Sequence, residues 1–448
     1  MSDESLDRLG RLDRLEKVLA DRPPVFPAAE LAAFVAGYFA RREEFLAVAA
    51  KHGSPLYVLE PAVLRERADR FRDAFGRVFP GLGVYYAVKS NNCPEVARTF
   101  LAAGLGLDVS SGVELSMALS LGAKDIVFSG PGKVDAELEL AIRHAGRVVV
   151  LMDSFAELAR LQRLAAAAGV TVRAGVRLTT DPRGLWRKFG IVLPRLAEFF
   201  TAAAACPNVC LEGLQAHSSW NLDPGRQIAF LEALGKTLAA MPAADREKIR
   251  FVDIGGGYWP EEGEWALDAA TPAGQMERLL NPEGPHAPAG PFRTQATPID
   301  DFADQIATAV REHLAPHIRC RICMEPGRWL VHRGMHLLMT VVDRKDAQLV
   351  ITDAGTNAVG WERFELDYFP VLNLTRPSSV ETPCHVLGCL CTPHDVWGYA
   401  YHGSDIQPGD VLLIPTQGAY TFSLRQEFIK PLPRVGCMTV YAQARTRC

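Results

Sequence analysis

The 448-residue chain lacks long apolar runs, an excess of charge of either sign and a recognisable cysteine framework. Its longest apolar runs, such as VVVLM at 148–152, fall far short of the roughly 20 residues that cross a bilayer. Lys and Arg number 48 against 52 Asp and Glu, a formal charge of −4. That balance excludes a basic nucleic-acid binder and a disordered acidic tail. The ten cysteines include two close pairs, Cys320 with Cys323 and Cys389 with Cys391. Neither pair has the second pair or the histidines that a zinc site needs, so no metal is expected. The charged start, MSDESLDRLGRLDRLEKVL, is neither a secretory signal nor a transit peptide. The expectation is a soluble cytoplasmic protein with reduced thiols and neither membrane nor nucleic acid as partner.

What the sequence does contain is a long alternation. Between residues 80 and 330, apolar β-branched runs alternate with amphipathic helical segments. The candidate strands are VYYAVK (84–89), LDVSS (107–111), DIVFSG (125–130), VVVLMDS (148–154), VRAGVRL (172–178), LEGLQAHS (211–218), IRFVDIGGG (249–257) and RCRICMEPG (319–327). Several are continuously hydrophobic, as parallel strands covered on both faces are. Eight strands separated by helices predict an α/β fold, a (β/α)8 TIM-like barrel, over residues 62–330. The stretch 262–298, rich in Pro, Gly and Ala, reads as a surface insertion. From 331 to 448 the period falls to about two, predicting an all-β domain. The segment 51–61 carries a strand (SPLYVLE) able to join that second sheet, and residues 1–50 form a helical extension.

In such a barrel the working groups sit at the carboxyl ends of the strands. Those ends carry Lys89, Asp108, Ser111, Arg177, His217, Gly255–Gly257, Glu325 and Arg328. A lysine after a strand is commonly a solvated charge. Lys89 instead ends an apolar run, and a lysine held among apolar walls and other cations can form an imine with an aldehyde. The three glycines either merely permit φ > 0 or let backbone N–H groups close around a phosphate, with Arg328 adding a charge-assisted bond. Imine-forming lysine and phosphate cradle at one barrel mouth together imply pyridoxal 5'-phosphate.

YAVKSN, LDVSSGVEL, VDIGGGY, MEPGR, the CLCTPHD turn and QGAY stand in one order along roughly residues 50–435. In these blocks and their spacing the chain resembles the fold-type III pyridoxal-phosphate decarboxylases, the diaminopimelate and ornithine decarboxylase family, with their alanine racemase-like fold. The resemblance implies Lys89 as Schiff-base lysine, His217 stacked on the cofactor ring and Glu325 on the pyridine nitrogen. It implies Gly255, Gly256, Gly257, Gly327 and Arg328 around the phosphate with Tyr420 closing on it, and Asp108 and Arg177 near the ring. It further implies a homodimer in which Cys391 reaches the partner's active site as proton donor. A carboxylate at Glu325 favours a charged pyridinium and so a deep electron sink, which suits decarboxylation better than racemisation. A cofactor-free decoy would be expected to lose Lys89 or the phosphate contacts, and both are present.

Two departures bear on the substrate. Where the family reads His-x-Gly-Ser, this chain has His217-Ser218-Ser219-Trp220. The acid that usually follows the catalytic cysteine and meets the substrate's distal amine is Thr392, while Asp395 is kept. Asp353 and Glu362 are the candidates to replace it, and Thr392 and Asp395 are expected beside them at the substrate. The expected substrate is a diamino acid attacked at a D-configured carbon, of the D-ornithine, D-lysine or meso-diaminopimelate type. The alternatives are a larger siderophore or antibiotic intermediate, or a racemase.

Overall fold

The structure is a computed structural model that describes residues 3–20, 22–181, 183–281, 291–360 and 366–438. The chain divides into two compact units, Pro61–Glu261 with Ala296–His332, and Met1–Glu60 with Glu262–Gln295 and Arg333–Cys448.

The first of these is an eight-stranded parallel barrel. Gly83–Ala87, Gly106–Val109, Ile126–Phe128, Val148–Met152, Val172–Thr179, Val209–Gln215, Phe251–Asp253 and Arg321–Met324 pair in sequence, each with the next. The last pairs back onto the first and closes the ring. Because side chains alternate along a strand, every second residue enters the barrel. Tyr85, Val127, Val149, Leu151, Phe251 and Cys323 form its interior cluster. Gly213 makes room for them, since a Cβ there would lie 1.8 Å from the Phe251 ring.

Two residues further along, the same inward parity carries different chemistry. Beyond Phe251 comes Asp253, beyond Cys323 comes Glu325, beyond Gly106 comes Asp108, and beyond Gly175 and Gly213 come Arg177 and Gln215. All five are buried. The outward residues are apolar and meet the helices, as Tyr86 does with Phe100 at 4.4 Å between ring centres. One periodicity therefore lays down an apolar floor and a charged upper layer.

The second unit is built on an eight-stranded mixed sheet. Its longest strand, Met335–Asp346, pairs antiparallel with Leu349–Thr352, with Val411–Ile414 and with Leu56–Leu59. Leu56–Leu59 also pairs parallel with Arg434–Cys437. Residues 262–295, read from sequence as a surface insertion in the barrel, belong to this unit. Glu264–Ala266 pairs with Phe292–Thr294, and the Trp265 ring lies 4.6 Å from Phe26 and 4.8 Å from Phe34. Aromatic burial against the N-terminal helices, Ala28–Ala40 among them, thus gives the insertion a core of its own. Glu60 ties the N-terminal helices to the sheet, accepting from Arg41 Nη2 at 2.5 Å and pairing with His336 Nε2 at 2.7 Å.

Candidate active site

After Ala87 the chain leaves its strand through a single 3-10 turn, Val88–Ser90. The turn keeps Lys89 at the rim, one third exposed, with Nζ 3.3 Å from Oδ2 of fully buried Asp108. The other Asp108 oxygen accepts the Ser129 hydroxyl.

Glu325 follows its strand directly and is buried. Gln215 Nε2 donates to both of its oxygens at 3.2 Å. Burial pushes the Glu325 carboxyl well above the usual carboxylate range, with Asp108 and Asp253 adding to the rise and Lys89 and Arg177 opposing it. Asp253 is pushed up to about 7, first by burial, against the 2.8 Å bond that its Oδ1 accepts from the Gly255 N–H. Carboxyls this close in a dry site cannot all ionise.

His217 accepts the Gly256 N–H at Nδ1, 3.0 Å away, so its own proton sits on Nε2. Burial, then Lys89 and Arg177, hold its pKa well below the ordinary histidine value. The ring is neutral. Its Nδ1 lies 3.9 Å from Glu325 Oε2.

The glycine run is forced by close approach. A Cβ would stand 2.4 Å from Ala216 O at Gly255, 2.2 Å from Glu325 O at Gly256 and 2.3 Å from Ser218 O at Gly257. Gly255 and Gly257 also hold φ of 71° and 82°, a region that side chains resist. Two of the three N–H groups are spent inward, on Asp253 and His217. Asn221, not foreseen from sequence, braces the run by donating to Gly256 O at 2.9 Å. Gly327 packs against Ser90, where a Cβ would come within 2.9 Å, and the Arg328 guanidinium lies 4.2 Å over the Trp259 ring. Trp220, in the departure from His-x-Gly-Ser, holds a left-handed φ of 57°, with its ring 6.0 Å from that of Trp259.

These residues fit pyridoxal phosphate. Three buried carboxyls, Asp108, Asp253 and Glu325, face two cations, Lys89 and Arg177, and a pyridinium nitrogen would supply the missing positive charge. Lys89 is the primary amine at the same rim, and a backbone without Cβ atoms lies beside it.

The remaining candidates belong to the other unit. Asp395 is buried and fully engaged, accepting from Thr356 N at 2.7 Å, Thr356 Oγ1 at 2.9 Å and Leu390 N at 2.6 Å. Its carboxylate shapes the CLCTPHD turn, with all three of these donors coming from within its own unit. Asp353 accepts from Ser54 Oγ at 2.5 Å and Thr340 N at 2.8 Å, so it too is committed within its own unit. Thr392 closes the turn through its carbonyl, 3.4 Å from Asp395 N, and leaves Cys391 exposed. Tyr420 holds a left-handed φ of 58°. Glu362 lies outside the described residues.

Sequence reasoning missed Gln215, Asp253 and Asn221. The first two share the inward parity of Gly213 and Phe251, a signal that was legible. Asn221 gave none, because its partner is a backbone carbonyl 35 residues away.

Comparison with known proteins agrees with this geometry. The family described as pyridoxal-dependent decarboxylase, pyridoxal binding domain, matches residues 62–332. A diaminopimelate decarboxylase of Methanothermobacter thermautotrophicus is 27% identical over 402 residues, 85% of each chain. One from Neisseria meningitidis is 26% identical over 412 residues, covering 87% of this chain and 90% of the relative. A decarboxylase of L-glutamyl-BtrI acyl-carrier protein from Niallia circulans is 24% identical, covering 85% and 87%. Among solved structures, the diaminopimelate decarboxylase of M. jannaschii shares the fold with a TM-score of 0.74, at 24% identity over 88% of this chain and 89% of that one.

Proposed function

Because the chain belongs to the pyridoxal-dependent decarboxylases, we propose that it removes the carboxylate of an amino acid at a D-configured carbon, of the meso-diaminopimelate, D-lysine or D-ornithine type. The protein is a pyridoxal-phosphate-dependent carboxy-lyase of the diaminopimelate–lysine–ornithine kind. The observation that carries the reading is the buried Glu325 carboxyl, held upward in pKa among other acids and next to a neutral histidine. Bound pyridoxal phosphate supplies an electron sink for the pair left behind as carbon dioxide departs.

The chain's own groups have distinct tasks in this scheme. Lys89 Nζ would hold the cofactor's aldehyde carbon, and Asp108, 3.3 Å away, orients that nitrogen. Glu325 would hold the cofactor's ring nitrogen as a carboxylate that favours the charged ring, and Gln215 fixes the carboxyl plane. His217, locked as the Nε2–H tautomer by Gly256, offers a flat uncharged face for stacking. Gly257 and Arg328 would bind the phosphate and Tyr420 would close on it. Cys391, exposed on its turn, is the proposed donor of the proton that replaces the carboxylate at Cα, acting in a homodimer for the partner copy. We place the protein in the cytoplasm.

A second reading, a larger pathway intermediate without a distal ammonium, draws support from Thr392 and from the committed carboxylates of Asp353 and Asp395. Racemisation is disfavoured by Glu325. The test is carbon dioxide release by the cofactor-loaded protein from meso-diaminopimelate and from both enantiomers of lysine and ornithine, with the remaining substrate checked for racemisation. Release from the D-centres is expected. Racemisation without release overturns the proposal, and release from L-enantiomers alone overturns its stereochemistry.

A further inference from the structure

Backbone strain in the barrel unit is concentrated at one side chain. Among the described residues of that unit, Trp220 is the one non-glycine with a left-handed φ, at 57°. A bulky residue resists this region, which glycine enters freely. The indole is also 58% exposed, so burial of the ring does not offset the strain. A conformation of this kind persists only where its neighbours over-determine it, and it marks places where the geometry is put to use.

The neighbours do over-determine it. Buried Asn221 donates through Nδ2 to Ser218 O at 3.1 Å and to Gly256 O at 2.9 Å, and its Oδ1 accepts the Ser218 hydroxyl at 3.0 Å. Along the backbone, Asn221 N donates to Gly257 O at 3.0 Å and Trp259 N donates to Asn221 O at 3.3 Å. On the other flank, Arg226 Nη1 of helix Gly225–Ala240 donates to Ser219 O at 2.9 Å. Both sides of Trp220 are clamped, so the direction in which its side chain leaves the backbone is fixed.

That direction leads to two anion donors. The Trp220 ring lies 6.0 Å from the Trp259 ring, tilted by 33°, and the Arg328 guanidinium stands 4.2 Å over Trp259. Held over a ring, a guanidinium loses side-chain freedom but none of its charge. The second donor is the Gly257 N–H, which, unlike those of Gly255 and Gly256, has no acceptor among the described residues. The Trp220 segment packs on this glycine, where a Cβ would stand 3.2 Å from Ser219 Cα. A backbone N–H and an oriented guanidinium are the donors that suit a phosphate.

We propose that Trp220 is a positioning residue for the cofactor's phosphate: packed against Trp259, it holds Arg328 in its stacked orientation beside Gly257. The inference rests on the reading that Gly257 and Arg328 take that phosphate, and it adds to them a residue on which the family pattern is silent. Trp220 stands where that pattern reads Ser, so a hydroxyl able to donate is absent and aromatic packing takes its place.

The full chain, stripped of cofactor, is titrated with pyridoxal 5'-phosphate and, separately, with pyridoxal, which has the same ring and aldehyde without the phosphate. Absorbance of the bound ligand gives both affinities. Trp220→Ala is expected to weaken the phosphate ester roughly fivefold or more and to leave pyridoxal within about twofold. Trp220→Phe keeps a ring at the position and should lose less, and it carries the test if the alanine variant does not fold. Equal loss for both ligands makes Trp220 merely structural, and no loss for either removes it from the seat; each result overturns the proposal. A parent that takes pyridoxal as tightly as its phosphate ester overturns the seat itself. The decarboxylase reading fails separately. A phosphate-dependent loss in Trp220→Ala, with no carbon dioxide released by the loaded parent from any amino acid tried, sinks that reading and leaves Trp220 in place. Turnover by the parent with unchanged affinities in both variants does the reverse.

Discussion

Acids are buried in both units of this protein, and they are treated in opposite ways. In the sheet unit, Asp395 takes three N–H and O–H donors, and Glu60 is met by Arg41 and His336. Burial alone would raise Glu60, but those partners outweigh it and bring its pKa down to about 2. At the barrel rim, Glu325 has one amide donor group and Asp253 one backbone N–H, and both titrate upward. A saturated acid holds structure together. An under-supplied one stays able to exchange a proton or to accept a cation brought by a ligand.

The sharpest way to break the rim is Lys89→Ala, which is expected to lower turnover by on the order of 10³-fold or more and to abolish the visible absorbance of bound cofactor. Unchanged carbon dioxide release without added amine would discard the lysine's assignment. On the structural side, Asp395→Ala is expected to lose about 3 kcal/mol in denaturant unfolding, because three donors lose their acceptor. A loss within error would mean that water replaces the carboxylate.

Cys391→Ala tests a residue of the sheet unit that is exposed rather than saturated. Turnover is expected to fall by roughly 10²-fold while cofactor absorbance and unfolding midpoint stay put, as for removal of a proton donor. A shifted midpoint would make Cys391 structural.

The smallest effect compares the two acid types directly in the cofactor-free protein. Glu60 has a depressed folded pKa, so its contribution is present above the ordinary glutamate value and is lost as pH falls through about 2. Glu60→Gln should therefore cost most above pH ~4.5 and progressively less below it. Asp253 is raised to about 7, so the unfolded chain ionises first and the folded state loses stability between the ordinary aspartate value and about 7. Asp253→Asn should then gain stability relative to the parent over that same interval and level off above it. Melting temperatures across pH check both, and slopes of the same sign would refute the contrast.

Much of the rim was legible because strand parity is a local rule. Lys89, Asp108, Arg177, His217 and Glu325 end apolar runs, and the barrel brings those ends together whatever the helices contain. The same rule extends to Gln215 and Asp253, but sequence reasoning missed both because their letters alone resembled ordinary strand residues. Asp395 shows what such a local rule does not reach. Its place in the CLCTPHD block favoured a substrate contact, but the N–H groups that consume it come from Thr356 and Leu390, one of them 39 residues distant.

What the sequence by itself determined is therefore what repeats along the chain: two alternating periods, the eight-strand count, and inward polar residues above inward apolar ones. Only the tertiary structure decided where donors and charges end up. It spent two of three glycine N–H groups on Asp253 and His217, and gave residues 262–295 to the sheet unit through Trp265. The physical reason is that periodicity is a property of neighbours in the chain, whereas hydrogen-bond saturation and desolvation depend on partners supplied from far away in it.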